Sequence, residues 1–437
     1  MGCGSSKAAK VMPVDAVEEE GEEDMGVVPG KVRWGEEDED SGGSGRKEAE
    51  EGSGDSGDSG DSGDHDNDNS EEMGGNGIRH GSVVSRGKKR YMEDAVVEME
   101  VGMSLGMTPL GVDSGEEGTS SVAHGVGGRF GLFAVLDGHS ADKREGADAA
   151  RLVGQTLPLA VMEEMRRETQ AHPRDLTLNA GAVMAGAFAR AELEMRMVAE
   201  DGGLSPRKKS RVGAHSGSRG GAPFQYAGTG VTLALVSLDR HDTASALHVA
   251  HVGDASAVLI DLRTETAIAL TGDHTVANEE ETARVEASGG FLTDDARFGK
   301  RANGLKVTRS LGDFGCYGTI SDPGVTSLSL DPQAHRWLVL ASDGLWDVVT
   351  PEDVVSFCLA RTHPSANTDP NHMAAGLRSI AAKRGGVDNI SVLVVDLFPS
   401  ASSSASGRAS SSSRASGGHG RAGEDDDDHR LTKSSMY

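Results

Sequence analysis

The chain has 437 residues, with 43 Lys and Arg against 69 Asp and Glu and a formal net charge of −26. That balance argues against a nucleic-acid partner, because neutralising backbone phosphates takes clustered Lys and Arg. The three cysteines, Cys3, Cys316 and Cys358, lack metal-ligand spacing, which excludes a disulfide framework and fits a reducing compartment; no apolar run is long enough to cross a bilayer.

The opening Met1-Gly2-Cys3-Gly4-Ser5-Ser6-Lys7 fits the N-myristoylation pattern, with Cys3 as the palmitoyl acceptor that a single acyl chain needs for stable anchoring. The expectation is a cytoplasmic protein tethered to the inner face of a membrane through Gly2 and Cys3; an unmodified Gly/Ser start is the alternative. Residues 1–76 hold 6 Lys and Arg against 23 Asp and Glu, so −17 of the net charge sits there. Such a segment buries too little surface to offset its ordering entropy and is expected to be disordered, most plainly in the Gly-Asp-Ser repeats of Gly52 to Asp64. The stretch from Asp64 resembles the start of an EF-hand loop, but Asn69 and Gly75 stand where that loop needs glycine and glutamate. Residues 77–398 form one domain by this reading, and 399–437, rich in Ser, Arg and Gly, a disordered tail. The basic cluster Arg207-Lys208-Lys209 with Arg211 lies in a Gly/Ser-rich insertion, Asp201 to Pro223, read as a solvated loop or a docking site near Ser205-Pro206.

Within the domain, Phe130–Leu136, Val231–Leu238, Ala246–Val252, Ser256–Ile260, Trp337–Ala341 and Ile390–Leu397 are short apolar runs bounded by turns, hence buried strands. Ala141–Arg167 and Leu176–Glu200 carry helical spacing. Asn278–Ser288, Pro351–Ala360 and Asn371–Lys383 are shorter helices, the first two with N-caps at Asn278 and Thr350. Strands come in consecutive groups, which favours an α+β fold of two packed antiparallel sheets covered by helices over a parallel doubly wound sheet.

Carboxylates stand where apolar runs break: Glu93-Asp94, Asp137 in Asp137-Gly138-His139, Asp313, and Asp343 in Ser342-Asp343-Gly344. Any one could be an ordinary turn aspartate. Gathered at strand ends, they suit hard divalent cations, which take oxygen ligands. Lys88-Lys89-Arg90 precedes Glu93 and could hold a phosphate, and His139 could protonate a leaving oxygen. This set points to metal-assisted phosphoester hydrolysis.

The same residues carry a resemblance. Tyr91-Met92-Glu93-Asp94-Ala95, Phe133 through His139, Gly230-Val231-Thr232, Val252-Gly253-Asp254, Asp273-His274, Arg284 through Gly290, Val307 through Asp313, Ser342 through Asp347 and Asp388-Asn389 occur in the order found in the type 2C, metal-dependent Ser/Thr protein phosphatases. The resemblance spans roughly residues 78–397 and implies a four-layer αββα sandwich with two Mn2+ or Mg2+ ions. It implies one ion held by Glu93, Asp137 and the Gly138 carbonyl. The other would be held by Asp137, Asp313 and Asp343, with Asp388 and Asn389 completing the site. Asp254 is the candidate for a weaker third ion. Asp94 would orient a metal-bound water, which attacks phosphorus in line, with His139 as general acid and no phosphoenzyme. Phosphorylated Ser/Thr proteins are the implied partners, and a monomer the default.

The chain departs from the family pattern in three places. Lys89, followed by Arg90, stands where a phosphate-gripping arginine is usual, and lysine lacks the bidentate guanidinium fork. Ser140 follows the Asp-Gly-His, where glycine is usual, and Ala255-Ser256 follow Val-Gly-Asp. His274 reads as structural, and Cys316 and Cys358 as thiols without a catalytic role. Two competing readings stay open: a catalytically weak scaffold that binds phosphoproteins, and an enzyme for small phosphoesters.

Overall fold

The computed structural model describes residues 31–34, 78–103, 128–141, 143–171, 179–200, 223–296, 299–361 and 368–399. In chain order the first elements are β1 (Lys31–Trp34), β2 (Arg79–Ser85), β3 (Asp94–Met103), β4 (Gly128–Ser140), α1 (Lys143–Ala171), α2 (Ala180–Glu200), β5 (Ala227–Leu238), β6 (Ala244–Val252), β7 (Ser256–Asp261) and β8 (Thr266–Ala269). There follow α3 (Glu279–Ala287), β9 (Leu292–Asp295), β10 (Gly299–Ala302), β11 (Leu311–Gly312), β12 (Gly324–Ser329), β13 (His335–Ala341), α4 (Asp343–Trp346), α5 (Pro351–Leu359), α6 (Pro370–Lys383) and β14 (Ile390–Asp396).

The strands sort into two main antiparallel sheets. One runs β1-β3-β4-β5-β6-β12, with β11 beside β5; the other runs β2-β14-β13-β7-β8, and β9 and β10 form a separate hairpin. Successive side chains of a strand point to opposite faces, so β4 contributes to two cores. Phe133 and Val135 face the second sheet and meet Leu259, Leu338, Leu340 and Leu393. Leu132, Ala134 and Leu136 face the other way, against Val153, Leu157 and Val161 of α1 and Phe188 of α2. The far face of the second sheet, with Val339, Val392 and Val394, packs on Val354 and Phe357 of α5 and Leu377 of α6. Each such side chain, fully buried, contributes about 1.5–3 kcal/mol of burial free energy. The layers are therefore helix, sheet, sheet, helix, as the sequence predicts.

The helix ends follow their local signals. Asn278 caps α3 by accepting from the Glu280 and Glu281 amides, and Thr350 with Asp353 forms a reciprocal capping box on α5. α6 starts at Pro370, capped by Asp369, one residue earlier than the sequence suggests. α1 and α2 are shifted from their expected bounds, to Lys143–Ala171 and Ala180–Glu200.

Two expectations need correction. The first is that the whole of residues 1–76 lacks structure: Lys31–Trp34 pairs with β3, and Arg33 reaches Glu98 at 3.4 Å. Average composition hid a short Val-Arg-Trp alternation there; the rest of 1–76, with Gly2 and Cys3, and residues 400–437 lie outside the described residues, as do 201–222. The second concerns the strands, where the six apolar runs named from sequence are not all that form. β2, β3 and β12 carry polar or charged residues that obscured them, including Glu98, which is buried between Arg33 and His80.

Strand ends put the site at one end of the sandwich. Asp94 opens β3 directly across from Asp137 near the end of β4, and Asp137 pairs in turn with Gly230 of β5. Asp254 sits in the turn between β6 and β7, Asp343 follows the end of β13, and Asp388 and Asn389 precede β14. No helix among the described residues is long and apolar enough to cross a membrane.

Candidate active site and metal centre

Carboxylate oxygens of Asp137, Asp254 and Asp343 all lie within 4.8 Å of one another. At that separation the charges repel strongly, and each neighbour favours the protonated form of the next. Burial and the Asp343 charge raise Asp137 well above the usual carboxylate range. Burial and Asp254 raise Asp343 to about 6. Asp94 rises to about 7, first through burial and then through Asp343 and Asp388. Its Oδ2 is buried with no hydrogen-bond partner among the described residues. Hard oxygen donors pushed out of their charged form by each other are what a divalent cation would relieve, so the residues fit a hard divalent metal ion.

Two cations of the chain border this cluster. Lys306 Nζ lies 2.8 Å from Asp254 Oδ2, 3.1 Å from Asp343 Oδ2 and 4.0 Å from Asp347 Oδ1. Lys89 Nζ lies 2.8 Å from Asp388 Oδ1. Burial works to lower the Lys89 pKa, but the Asp388 carboxylate outweighs it and holds the ammonium above its usual value. Lys89, not Arg90, therefore faces the carboxylates; Arg90 is exposed and stacks over the Tyr91 ring at 5.5 Å.

The loop that presents Lys89 is tied down by Asn389. Its amide nitrogen donates to the carbonyls of Arg86 (2.9 Å) and Tyr91 (3.1 Å), and its oxygen accepts from the Glu93 amide (2.9 Å). Asn389 is thus a positioning residue, its polar atoms already engaged. Gly87 has φ +60, and a Cβ there would lie 2.0 Å from the Asp388 carbonyl, so the loop needs glycine twice over.

His139 Nε2 lies 2.7 Å from Asp313 Oδ2, which also accepts from Ser310 Oγ at 2.6 Å. Burial lowers the imidazole pKa, and the Asp313 charge more than offsets it, so His139 ends above its ordinary value. Asp313 is 1% exposed and has φ +52, in the left-handed region. Its amide, donating to the Ala227 carbonyl at 2.9 Å, fixes that turn. A Cβ on Gly228 would come within 2.3 Å of Asp313 Oδ2, so glycine there makes room for the carboxylate. Asp313 Oδ2 is thus engaged by His139 and Ser310, while its Oδ1 is buried with no hydrogen-bond partner among the described residues. Glu93 is buried beside Gly146 of α1, where a Cβ would lie 2.4 Å from Glu93 Oε1, and the Gly138 amide donates to the Glu93 carbonyl.

The remaining departures are benign. Ser140 is absent from the residues of positive φ and ends β4 opposite Ala227. His274 stacks on His251 with centroids 4.3 Å apart, and burial with the neighbouring His251 lowers it to about 3, consistent with a structural role. Cys316 and Cys358 are both buried, which pushes each thiol up to about 12, far from a reactive thiolate.

Sequence reasoning missed Lys306, which stands one residue before the Val307–Asp313 motif, and the wider roles of Gly146 and Gly228. A lone lysine between Leu305 and Val307 was the available signal.

Comparison with known proteins agrees with this architecture. A family model described as protein phosphatase 2C matches residues 207–390. A probable protein phosphatase 2C 8 from Oryza sativa subsp. japonica is 31% identical over 333 residues, covering 73% of this chain and 74% of that protein. The chain belongs to the protein phosphatase 2C family. It spans 62% of the length of another Oryza relative, probable protein phosphatase 2C 74, at 29% identity over 64% of this chain. Among solved structures, a serine-threonine phosphatase 2C from Toxoplasma gondii shares the fold with a TM-score of 0.51 at 16% identity, covering 74% of this chain and 96% of that one. The matches to phosphatase 2C 8 and to the Toxoplasma structure both cover a larger share of the chain than residues 207–390 alone.

Proposed function

We propose that this chain is a divalent-cation-dependent protein serine/threonine phosphatase. The observation that carries the reading is the convergence of Asp137, Asp254 and Asp343 beside two further groups suited to a phosphoester: the Lys89 ammonium and the His139–Asp313 pair. Mn2+ or Mg2+ held by Glu93, Asp137, the Gly138 carbonyl and Asp343, with Asp388 at the edge, would supply charge neutralisation and a water nucleophile for in-line attack. Lys89 would hold the phosphoryl oxygens, as a point charge without the arginine fork. Asp94, buried behind the cluster, would orient the water. His139 would deliver a proton to the departing serine or threonine oxygen from Nδ1, the ring nitrogen that Asp313 does not engage. No phosphoenzyme is invoked; the two described cysteines are buried and protonated.

The test is release of phosphate from a phosphothreonine peptide by the full chain. Turnover abolished by chelation and restored by Mn2+ supports the reading; turnover indifferent to chelation contradicts it. A catalytically weak, phosphoprotein-binding scaffold is the second reading, favoured by Lys89 in place of arginine and by Lys306 among the carboxylates. We also infer a membrane-tethered form through acyl chains on Gly2 and Cys3, supported by the opening heptapeptide alone. Gly2→Ala leaving membrane fractionation unchanged would remove it.

A further inference from the structure

The Lys306 ammonium sits where the carboxylate cluster would otherwise offer a cation three acidic side chains. It lies 2.8 Å from Asp254, 3.1 Å from Asp343 and 4.0 Å from Asp347. Its backbone is not free to wander. The Lys306 carbonyl accepts from the Val276 amide at 3.0 Å, the Thr308 amide donates to the His274 carbonyl at 2.8 Å, and Val307 bridges to Thr275 between them. This short ladder delivers the side chain to the Asp254 corner from a fixed base. The lysine side chain remains 43% exposed, so the ammonium keeps part of its hydration while its charge meets the carboxylates.

We propose that Lys306 is a built-in cation at the Asp254–Asp343–Asp347 corner, competing there with a divalent ion and leaving the Asp137 side of the cluster as the place where Mn2+ or Mg2+ binds tightly. A fixed ammonium supplies one positive charge to that corner without loss of a free ion's translational freedom. A divalent ion can take the corner only by displacing it. The corner is thereby set apart from Asp137, whose carboxylate has no lysine ion pair among the described residues. The inference rests on the reading of the cluster as a divalent-cation site.

The test counts Mn2+ on the full chain by calorimetric titration and by the EPR signal of free Mn2+, comparing native protein with Lys306→Met and Lys306→Ala. Loss of the ammonium is expected to add one Mn2+ per chain, or to tighten the weakest binding step about tenfold, and Asp254→Ala in the Lys306→Met background is expected to abolish that gain. In the metal-free state the Lys306 variants should melt lower than native protein, and saturating Mn2+ should close the gap. The methionine variant keeps the aliphatic stem, so it carries the count if the alanine variant does not fold. Unchanged stoichiometry and affinity in a folded variant, with Mn2+ bound to native protein, overturns the role of Lys306 alone. No Mn2+ bound to native protein or variant removes the metal reading and this proposal together.

Discussion

His139 Nε2 and Asp313 Oδ2 lie 2.7 Å apart, and Ser310 Oγ approaches the same carboxylate oxygen at 2.6 Å. The buried carboxylate favours the protonated imidazole, as the general-acid role proposed for His139 requires. Replacing Asp313 by asparagine removes the charge that raises His139, and the group then loses its proton at lower pH. The basic limb of the pH profile of kcat should move to lower pH, and kcat at pH 8 should fall about 10–100-fold. Mn2+ affinity, measured by titration, should stay within about twofold if Asp313 serves His139 and not the metal. A large loss of Mn2+ affinity with an unmoved limb would instead make Asp313 a ligand.

On the proposed reading, Lys89 offers a charge to the substrate phosphate. Lys89→Met should raise KM for a phosphothreonine peptide about tenfold without weakening Mn2+ binding, since the variant frees Asp388 of a competing ammonium. Lys89→Arg should retain or improve KM, because guanidinium geometry matches phosphate better than ammonium does. Steady-state kinetics on both variants separates these outcomes.

Asn389→Ala removes three hydrogen bonds that hold the 86–93 loop. The buried groups left without partners should cost about 2–4 kcal/mol of stability, read by urea unfolding. Lys89 and Glu93 share that loop, so KM should rise together with the loss of stability.

Acid should destabilise the fold through Glu281 and His274. Burial opposes the ionised Glu281, but hydrogen bonds from Arg309, Arg284 and Thr308 outweigh it and bring the carboxyl down to about 2. A depressed carboxylate contributes stability that is present above its unfolded value of about 4.5 and is lost as pH falls towards 2. Burial and His251 depress His274 to about 3, so its contribution is present above about 6.5 and is lost as pH falls towards 3. The raised Asp94, Asp137 and Asp343 carboxyls act the opposite way in metal-free protein and are common to native chain and variant. Against that shared background, Glu281→Gln should flatten the loss of urea midpoint below about pH 4.5 relative to native protein. An unchanged slope in the variant would contradict the assignment.

Much of this was legible from residue order. The central strands announced themselves as apolar runs because both faces of β4, β5, β13 and β14 are covered. Asp137 and Asp343 were legible because each stands where an apolar run ends and glycine follows, Glu93 because it adjoins an apolar segment, and Asp254 through the family resemblance. What sequence could not show was which partners would meet across hundreds of residues. Asp313 reads as one more carboxylate until Gly228 and the left-handed turn deliver it to His139. Asn389 reads as part of an acidic site until its amide is seen spanning back to Arg86, Tyr91 and Glu93. Lys306 is an ordinary lysine until the Thr275–Val307 bridge brings it to Asp254. β3 was hidden because a buried Glu98 with Arg33 and His80 looks, in sequence, like a solvated charge.

The most direct test of the account is Mn2+-dependent phosphate release from a phosphothreonine peptide by the full chain beside Asp343→Asn, with circular dichroism confirming that both are folded. Asp343 joins Asp137 and Asp254 in the cluster, so the account predicts turnover that requires Mn2+ in the native chain and falls at least about 100-fold in the variant. Equal turnover by the two proteins, or turnover that persists after chelation, would contradict it.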